Sequence, residues 1–193
     1  MKKIFILITI TFINFSVLAD DIKNFEIGPV SLGQSLLDYT DKDQIKFLKK
    51  EAQYPNDKYI RYEITKVVTI DNYDFVDVMV RKNDKNYIIE GISAAIEYNQ
   101  LDQCLKIKKE IQESIENILK ADEIQETKFP SAQDSTGESI IYGVQYYTKP
   151  TPSNESIVVN CYHMTEKSNK TRLLRVSVNT HEFSSFIIKD AHN

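Results

Sequence analysis

Six stretches of this chain alternate apolar and polar residues with a period of two. They fall three and three on either side of one long stretch with helical period. In residues 58–68, Ile60, Tyr62 and Ile64 alternate with Arg61, Glu63 and Thr65, and in residues 73–82, Val76, Val78 and Val80 alternate with Asp77, Met79 and Arg81. A turn cluster, Asn83-Asp84-Lys85-Asn86, leads into the third run, residues 87–98. The second trio covers residues 139–148, 156–164 and 171–179, with Ile157, Val159 and Cys161 sharing one face and Leu174, Val176 and Val178 another. Between the trios, residues 99–121 set Cys104, Ile107, Ile111, Ile115 and Ile118 along one side of a helix. Strands joined by hairpin-length loops pair antiparallel, because parallel neighbours need a crossover of a dozen residues or more. The pattern therefore specifies an α+β fold, an antiparallel sheet with helices packed on one face.

The remaining elements follow from capping and turn signals. Ser31-Leu32-Gly33-Gln34 matches a capping box, so a helix is expected from Leu32, and Ser35 falls in its first turn. A second helix is expected over 41–52, with Ile45, Leu48 and Ala52 turned inward and Lys42, Lys46 and Lys49 outward, ended by Tyr54-Pro55-Asn56-Asp57. After the long helix comes a loop carrying Pro130, Ser131, Ser135 and Gly137, and a short helix over 181–189 closes the chain. The expected order is ααβββ-αβββα, with residues 30–98 and 99–193 as pseudo-repeat halves of one domain, 20–193.

Lys2 and Lys3 precede an apolar run over 4–13, and Val17-Leu18-Ala19 offers small residues for cleavage, so residues 1–19 read as a signal peptide. The run is shorter than the ~20 residues a bilayer span needs. The chain carries a net charge of −4, and losing two lysines and no acid takes it to −6. An acidic chain lacks the basic stripe of a nucleic-acid binder, so no nucleic-acid partner is expected. No later apolar run is long enough to cross a membrane, so no stable membrane insertion is expected after signal cleavage. The expected location is periplasmic or secreted. Abundant Ile, Lys and Asn and the absence of Trp fit an AT-rich bacterial source.

An oxidising compartment lets Cys104 and Cys161 pair. Their bridge would close a 58-residue loop and stabilise the fold by ~4 kcal/mol on the chain-entropy model. His163 lies two residues from Cys161 on the same strand face, yet a disulfide abolishes the thiolate a catalytic cysteine needs. His163, His181 and His192 form no metal-binding spacing, and the acids Asp71, Asp74 and Asp77 lack the glycine and terminal glutamate of a calcium loop. No metal and no cofactor are expected. Asn154-Glu155-Ser156 and Asn169-Lys170-Thr171 read as turn residues. Tyrosines crowd the strand runs; β-propensity accounts for them, and Tyr59, Tyr142 and Tyr146 are the candidates for a binding surface.

Gly33-Gln34-Ser35-Leu36-Leu37 resembles the first block of the GDSL/SGNH hydrolase family, which would make Ser35 a nucleophile. The match departs at Gln34, the later G-x-N-D block is missing, and Asp190-Ala191-His192 is one residue short of the family's D-x-x-H. No catalytic residue is therefore assigned, and a serine esterase using Ser35 is kept as the alternative. The segments E-I-G-P-V-S-L-G-Q-S-L-L-D-Y from Glu26, Y-P-N-D-K-Y from Tyr54, C-L-K-I-K-K-E-I from Cys104 and V-N-C-Y from Val159 resemble an uncharacterised family of small secreted proteins from AT-rich marine bacteria. The element order and L-G-Q-S from Leu32 are also similar to the ααβββ module of the outer-membrane assembly lipoprotein and β-lactamase-inhibitor superfamily, whose members bind proteins without catalysis. That superfamily's lipid-bearing cysteine has no counterpart here, so membrane tethering does not carry over. The expectation is a non-catalytic binding module whose partner, protein or small molecule, is unknown.

Overall fold

The structure, a computed structural model, describes residues 22, 25–51, 54–148 and 155–191; the expected signal segment 1–19 lies outside them. Two short strands, β1 (Glu26–Ile27) and β2 (Val30–Ser31), form a hairpin in which Gly28 supplies a φ of +61° at the first loop position and Pro29 follows. That combination suits a primed turn, which only glycine enters without strain. Seven more strands form one antiparallel sheet: β3 (Tyr59–Glu63), β4 (Phe75–Arg81), β5 (Ile89–Glu97), β6 (Glu123–Pro130), β7 (Ile140–Tyr147), β8 (Ser156–His163) and β9 (Leu173–Asn179). Their order across the sheet is β3-β4-β5-β9-β8-β7-β6. Each half of the chain is thus a meander whose last strand stands inside the sheet, and the two meanders join along β5 and β9.

Register fixes the two faces. Ile92 stands opposite Val78 on one side and Val178 on the other, and Val159 lies between Val176 and Val144. These residues, with Tyr62, Cys161, Leu174 and Tyr146, belong to one buried core. Helix α1 (Lys42–Leu48) closes it with Ile45 and Leu48, capped by Asp41, whose carboxylate accepts from the amides of Asp43 and Gln44, both at 2.9 Å. Helix α2 (Leu101–Ile118) is pinned to the same face by the Cys104–Cys161 disulfide. Lys108 is also buried in its inner stripe, held by Gln112 at 3.0 Å and Glu126 of β6 at 3.1 Å. Ile118, expected inside, is 48% exposed, so the stripe is rotated toward the edge strand.

Four expectations need correction. The helix expected from Leu32 is absent: Gly33 adopts a φ of +83°, and only a 3-10 turn, Leu36–Asp38, follows. The glutamine side of the expected capping box does form, with Ser31 N donating to Gln34 Oε1 at 2.9 Å, but Ser31 lies in β2. The working cap is one turn later, with Ser35 as N-cap and Asp38 reaching back to its amide. Second, residues 123–130, expected as loop, form edge strand β6. Third, the elements run as a hairpin, α1, three strands, α2, four strands and α3, so the ααβββ-αβββα order does not hold. Fourth, the helices are not all on one face. Helix α3 (His181–Lys189) occupies the residues expected of it, but it packs on the opposite face against Tyr59 and Met79 through Phe183 and Phe186. Gly91 makes this possible, because a Cβ there would lie 2.6 Å from the Phe183 ring.

Candidate functional site

The face that carries α3 is only partly covered by it. Beyond the helix, register aligns Asp77 with Ser93 and Ser93 with Ser177 in one row across β4, β5 and β9. The next row runs Ala95, Arg175, Asn160 and Gly143. The first row is small at its centre, where Ser93 and Ser177 stand side by side, while in the second the long polar Arg175 and Asn160 stand between Ala95 and Gly143. Ser177 Oγ and Ser93 Oγ bond to each other at 3.2 Å.

Two arginines on this face each keep a donor unpaired. Arg61 Nε lies 4.0 Å from Asp77 Oδ1, beyond hydrogen-bond reach, and the Nε atoms of Arg61 and Arg175 are buried with no partner among the described residues. Leaving such donors unpaired costs more than a hydrogen bond returns, which marks both as groups that gain from an incoming acceptor. Asp77 is buried, and burial raises its carboxyl above the usual range against the opposing pull of the Arg61 and Arg175 charges.

Aromatic groups frame the far end. The Arg175 guanidinium lies 5.9 Å from the centre of the Tyr162 ring, and Asn160 Nδ2 donates to Tyr162 Oη at 3.4 Å. Tyr54, which meets Phe186 edge-on at 5.7 Å, is pushed up to about 12, chiefly by burial. A cavity of about 100 Å³ opens beside Arg175, lined by Gln133, Tyr162, Met164, Thr171, Leu173 and Arg175. Its outer walls are held by loop chemistry. Asp134 accepts from Thr136 N at 2.9 Å, Ser139 N at 3.0 Å and Ser139 Oγ at 2.5 Å, while Thr165 N donates to Ser139 Oγ at 2.9 Å. These bonds hold the Asp134 carboxyl well below the usual carboxylate range. Arg172 fixes the other wall through Met164 O at 2.8 Å and Asn99 O at 2.9 Å.

The residues singled out in the sequence lie elsewhere. Cys104 and Cys161 are bonded and buried in the core. Tyr59, Tyr142 and Tyr146 are not brought to one surface. Tyr146 is 0% exposed under α2, donating to Glu116 at 3.1 Å, and Tyr142 packs against the same core. Tyr59 is 7% exposed on the other face and donates to Glu90 at 2.6 Å. A register shift after Met79 aims Glu90 at that hydroxyl and at Arg81, which it meets at 3.0 Å. Ser35 Oγ donates to the Asn86 carbonyl at 2.5 Å and accepts from Leu37 N at 3.1 Å, both backbone groups. His163 stands on the core side of β8 with Nδ1 buried and unpaired, and burial lowers its pKa. His192 lies outside the described residues.

Among the described residues, no group of three or more His, Cys, Asp or Glu is placed to hold a metal ion, and no helix is long and apolar enough to cross a membrane. No protein-family model, curated protein or solved structure matches the chain. Sequence reading placed Arg61 and Asp77 on the wet side of their strands but missed Arg175 as their neighbour. The signal was the run of small residues, Ser93, Ser177 and Gly143, on faces where long polar side chains surround them.

Proposed function

We propose that this chain is an exported, non-catalytic binding module that recognises an acceptor-rich, anionic partner on the uncovered sheet face. One observation carries the reading: on one sheet face the Nε atoms of Arg61 and Arg175 are buried donors with no partner among the described residues, near the small Ser93 and Ser177. A net-acidic protein that keeps the Nε donors of two guanidiniums unpaired on one face offers negative groups a favourable contact there. Export is supported by the disulfide, which persists in oxidising compartments, and by the lysines and apolar run at the N-terminus. The periplasm or the medium would be its place of action, as for the small secreted proteins it resembles. No observation favours the serine-esterase reading, since both bonds of the Ser35 hydroxyl serve its turn and the neighbouring loop.

The test compares immobilised wild type with an Arg61→Gln/Arg175→Gln variant of matched thermal stability, each exposed to periplasmic extract and culture medium of the source organism. The expected result is a species retained by the wild type, released by salt and absent from the variant. Equal retention by both, or no species specific to the wild type, overturns the reading.

A further inference from the structure

We propose that the cavity beside Arg175 is a seat for a single carboxylate group, an inference that deepens the binding reading above and rests on it. The lining is selective in its chemistry. Arg175, Gln133, Thr171 and Tyr162 all offer donors, Met164 and Leu173 supply apolar wall, and no acidic side chain lines the space. Tyr162 Oη already accepts from Asn160, which leaves its own proton for an occupant. The Nε atom of Arg175 is shielded from water and makes no hydrogen bond to a described residue. A planar guanidinium in that state pairs best with a planar, two-oxygen acceptor.

Size and charge narrow the class. A cavity of about 100 Å³ holds the volume of about three waters at ~30 Å³ each, room for a head group of three or four heavy atoms. Arg175 lines the cavity among neutral donors, and with Asp77 already within its field one further negative charge is the most it balances, whereas a phosphate dianion would bring a second into a half-buried site on an acidic protein. The walls are set before any ligand arrives. Gln133 adjoins Asp134, whose carboxylate ties the β6–β7 loop to Ser139, and Met164 is held by Arg172. Such pre-organisation lowers the ordering cost of binding a small group.

The test is titration of 15N-labelled protein with sodium acetate, followed through the arginine Nε–H resonances and the backbone amides of Met164 and Leu173, which line the cavity. The Arg175 resonance is expected to move and saturate with a Kd on the order of 1 mM, typical of a small-ion contact, while Arg61 moves little. Arg175→Gln removes the saturable response of the Met164 and Leu173 amides. Gln133→Ala, on a loop residue outside the sheet, weakens it several-fold with the fold unchanged by circular dichroism. Inorganic phosphate binds at least tenfold more weakly than acetate. Acetyl-Gly-Gly and its C-terminal amide distinguish the source: tighter binding of the free acid than of acetate assigns the carboxylate to a larger ligand, and equal binding assigns it to a small acid. A linear response without saturation, phosphate binding as tight as acetate, or an unchanged response in both variants overturns the inference. If it falls while the Arg61→Gln/Arg175→Gln variant still loses its captured species, the binding face stands without this pocket; if the capture difference is also missing, the reading beneath it falls too.

Discussion

Ser35 accepts from Leu37 N and donates to the Asn86 carbonyl, so truncating its side chain orphans a turn amide and frees the loop between β4 and β5. Ser35→Ala is expected to lower stability by ~1 kcal/mol, the usual cost of a lost N-cap, read as a drop in the urea midpoint. A nucleophilic serine would show a loss of ester hydrolysis with no change in midpoint. Asp77 behaves in the opposite sense to most carboxylates. Its folded-state pKa is raised, first by burial, so its contribution to stability is fully present below the unfolded value of about 3.9 and is lost as pH rises through the folded value. Asp77→Asn, which resembles the protonated form, is therefore expected to be more stable than wild type at pH 7, with the difference shrinking toward pH 4 in paired urea melts. Asp134 has the reverse sign. Its pKa is depressed by hydrogen bonds from Ser139 and Thr136, so its stabilisation is present above the unfolded value and lost as pH falls through the folded one. At this scale the sequence identified Arg61 and Asp77 as solvent-side residues. It could not show that Arg175, 98 residues after Asp77, shares their surface, because that proximity is made by the pairing of β5 with β9.

Helix α3 shows what periodicity reveals about an element and what it leaves open. Its bounds were legible, since Phe183, Phe186 and Ile187 mark one apolar side after the Thr180 cap, whose Oγ1 accepts from Phe183 N at 3.2 Å. Its sheet face was not legible, because an apolar stripe fits either face equally well. The deciding residue lies in β5: Gly91 lets the Phe183 ring rest on bare backbone. Gly91→Ala is expected to cost about 1–3 kcal/mol, as overpacking does, and to raise amide exchange across α3 while α2 stays protected. Strand β6 escaped detection for a different reason. Nearly every one of its residues is exposed, it ends in Pro130, and it bonds to β7 alone, so no alternation was required of it. Lys128 and Pro130 also guard that open edge against pairing with another chain.

On the scale of the whole molecule, two meanders depend on one seam. Strands β5 and β9 come from distant parts of the chain, and their seven aligned pairs from Gly91↔Asn179 to Glu97↔Leu173 join the halves. Contacts of such separation form only after a long loop has closed, and loop closure is what a covalent bridge assists. Cys104–Cys161 provides it from the second half, clamping α2 onto β8, the strand beside β9. The antiparallel α+β architecture and this bridge were legible from alternation and from two cysteines on apolar faces; the seam was not, since strand order leaves no mark on local pattern. Because the bridge acts mainly on the unfolded chain, a Cys104→Ala/Cys161→Ala variant is expected to keep its far-ultraviolet spectrum while losing ~4 kcal/mol for its 58-residue loop. That loss is a large share of the 5–15 kcal/mol typical of a domain. Urea unfolding of the variant and of wild type with and without reductant measures it: reduced wild type should match the variant. A midpoint that does not move would mean that the packing of α2 on the sheet holds the halves together without the bond.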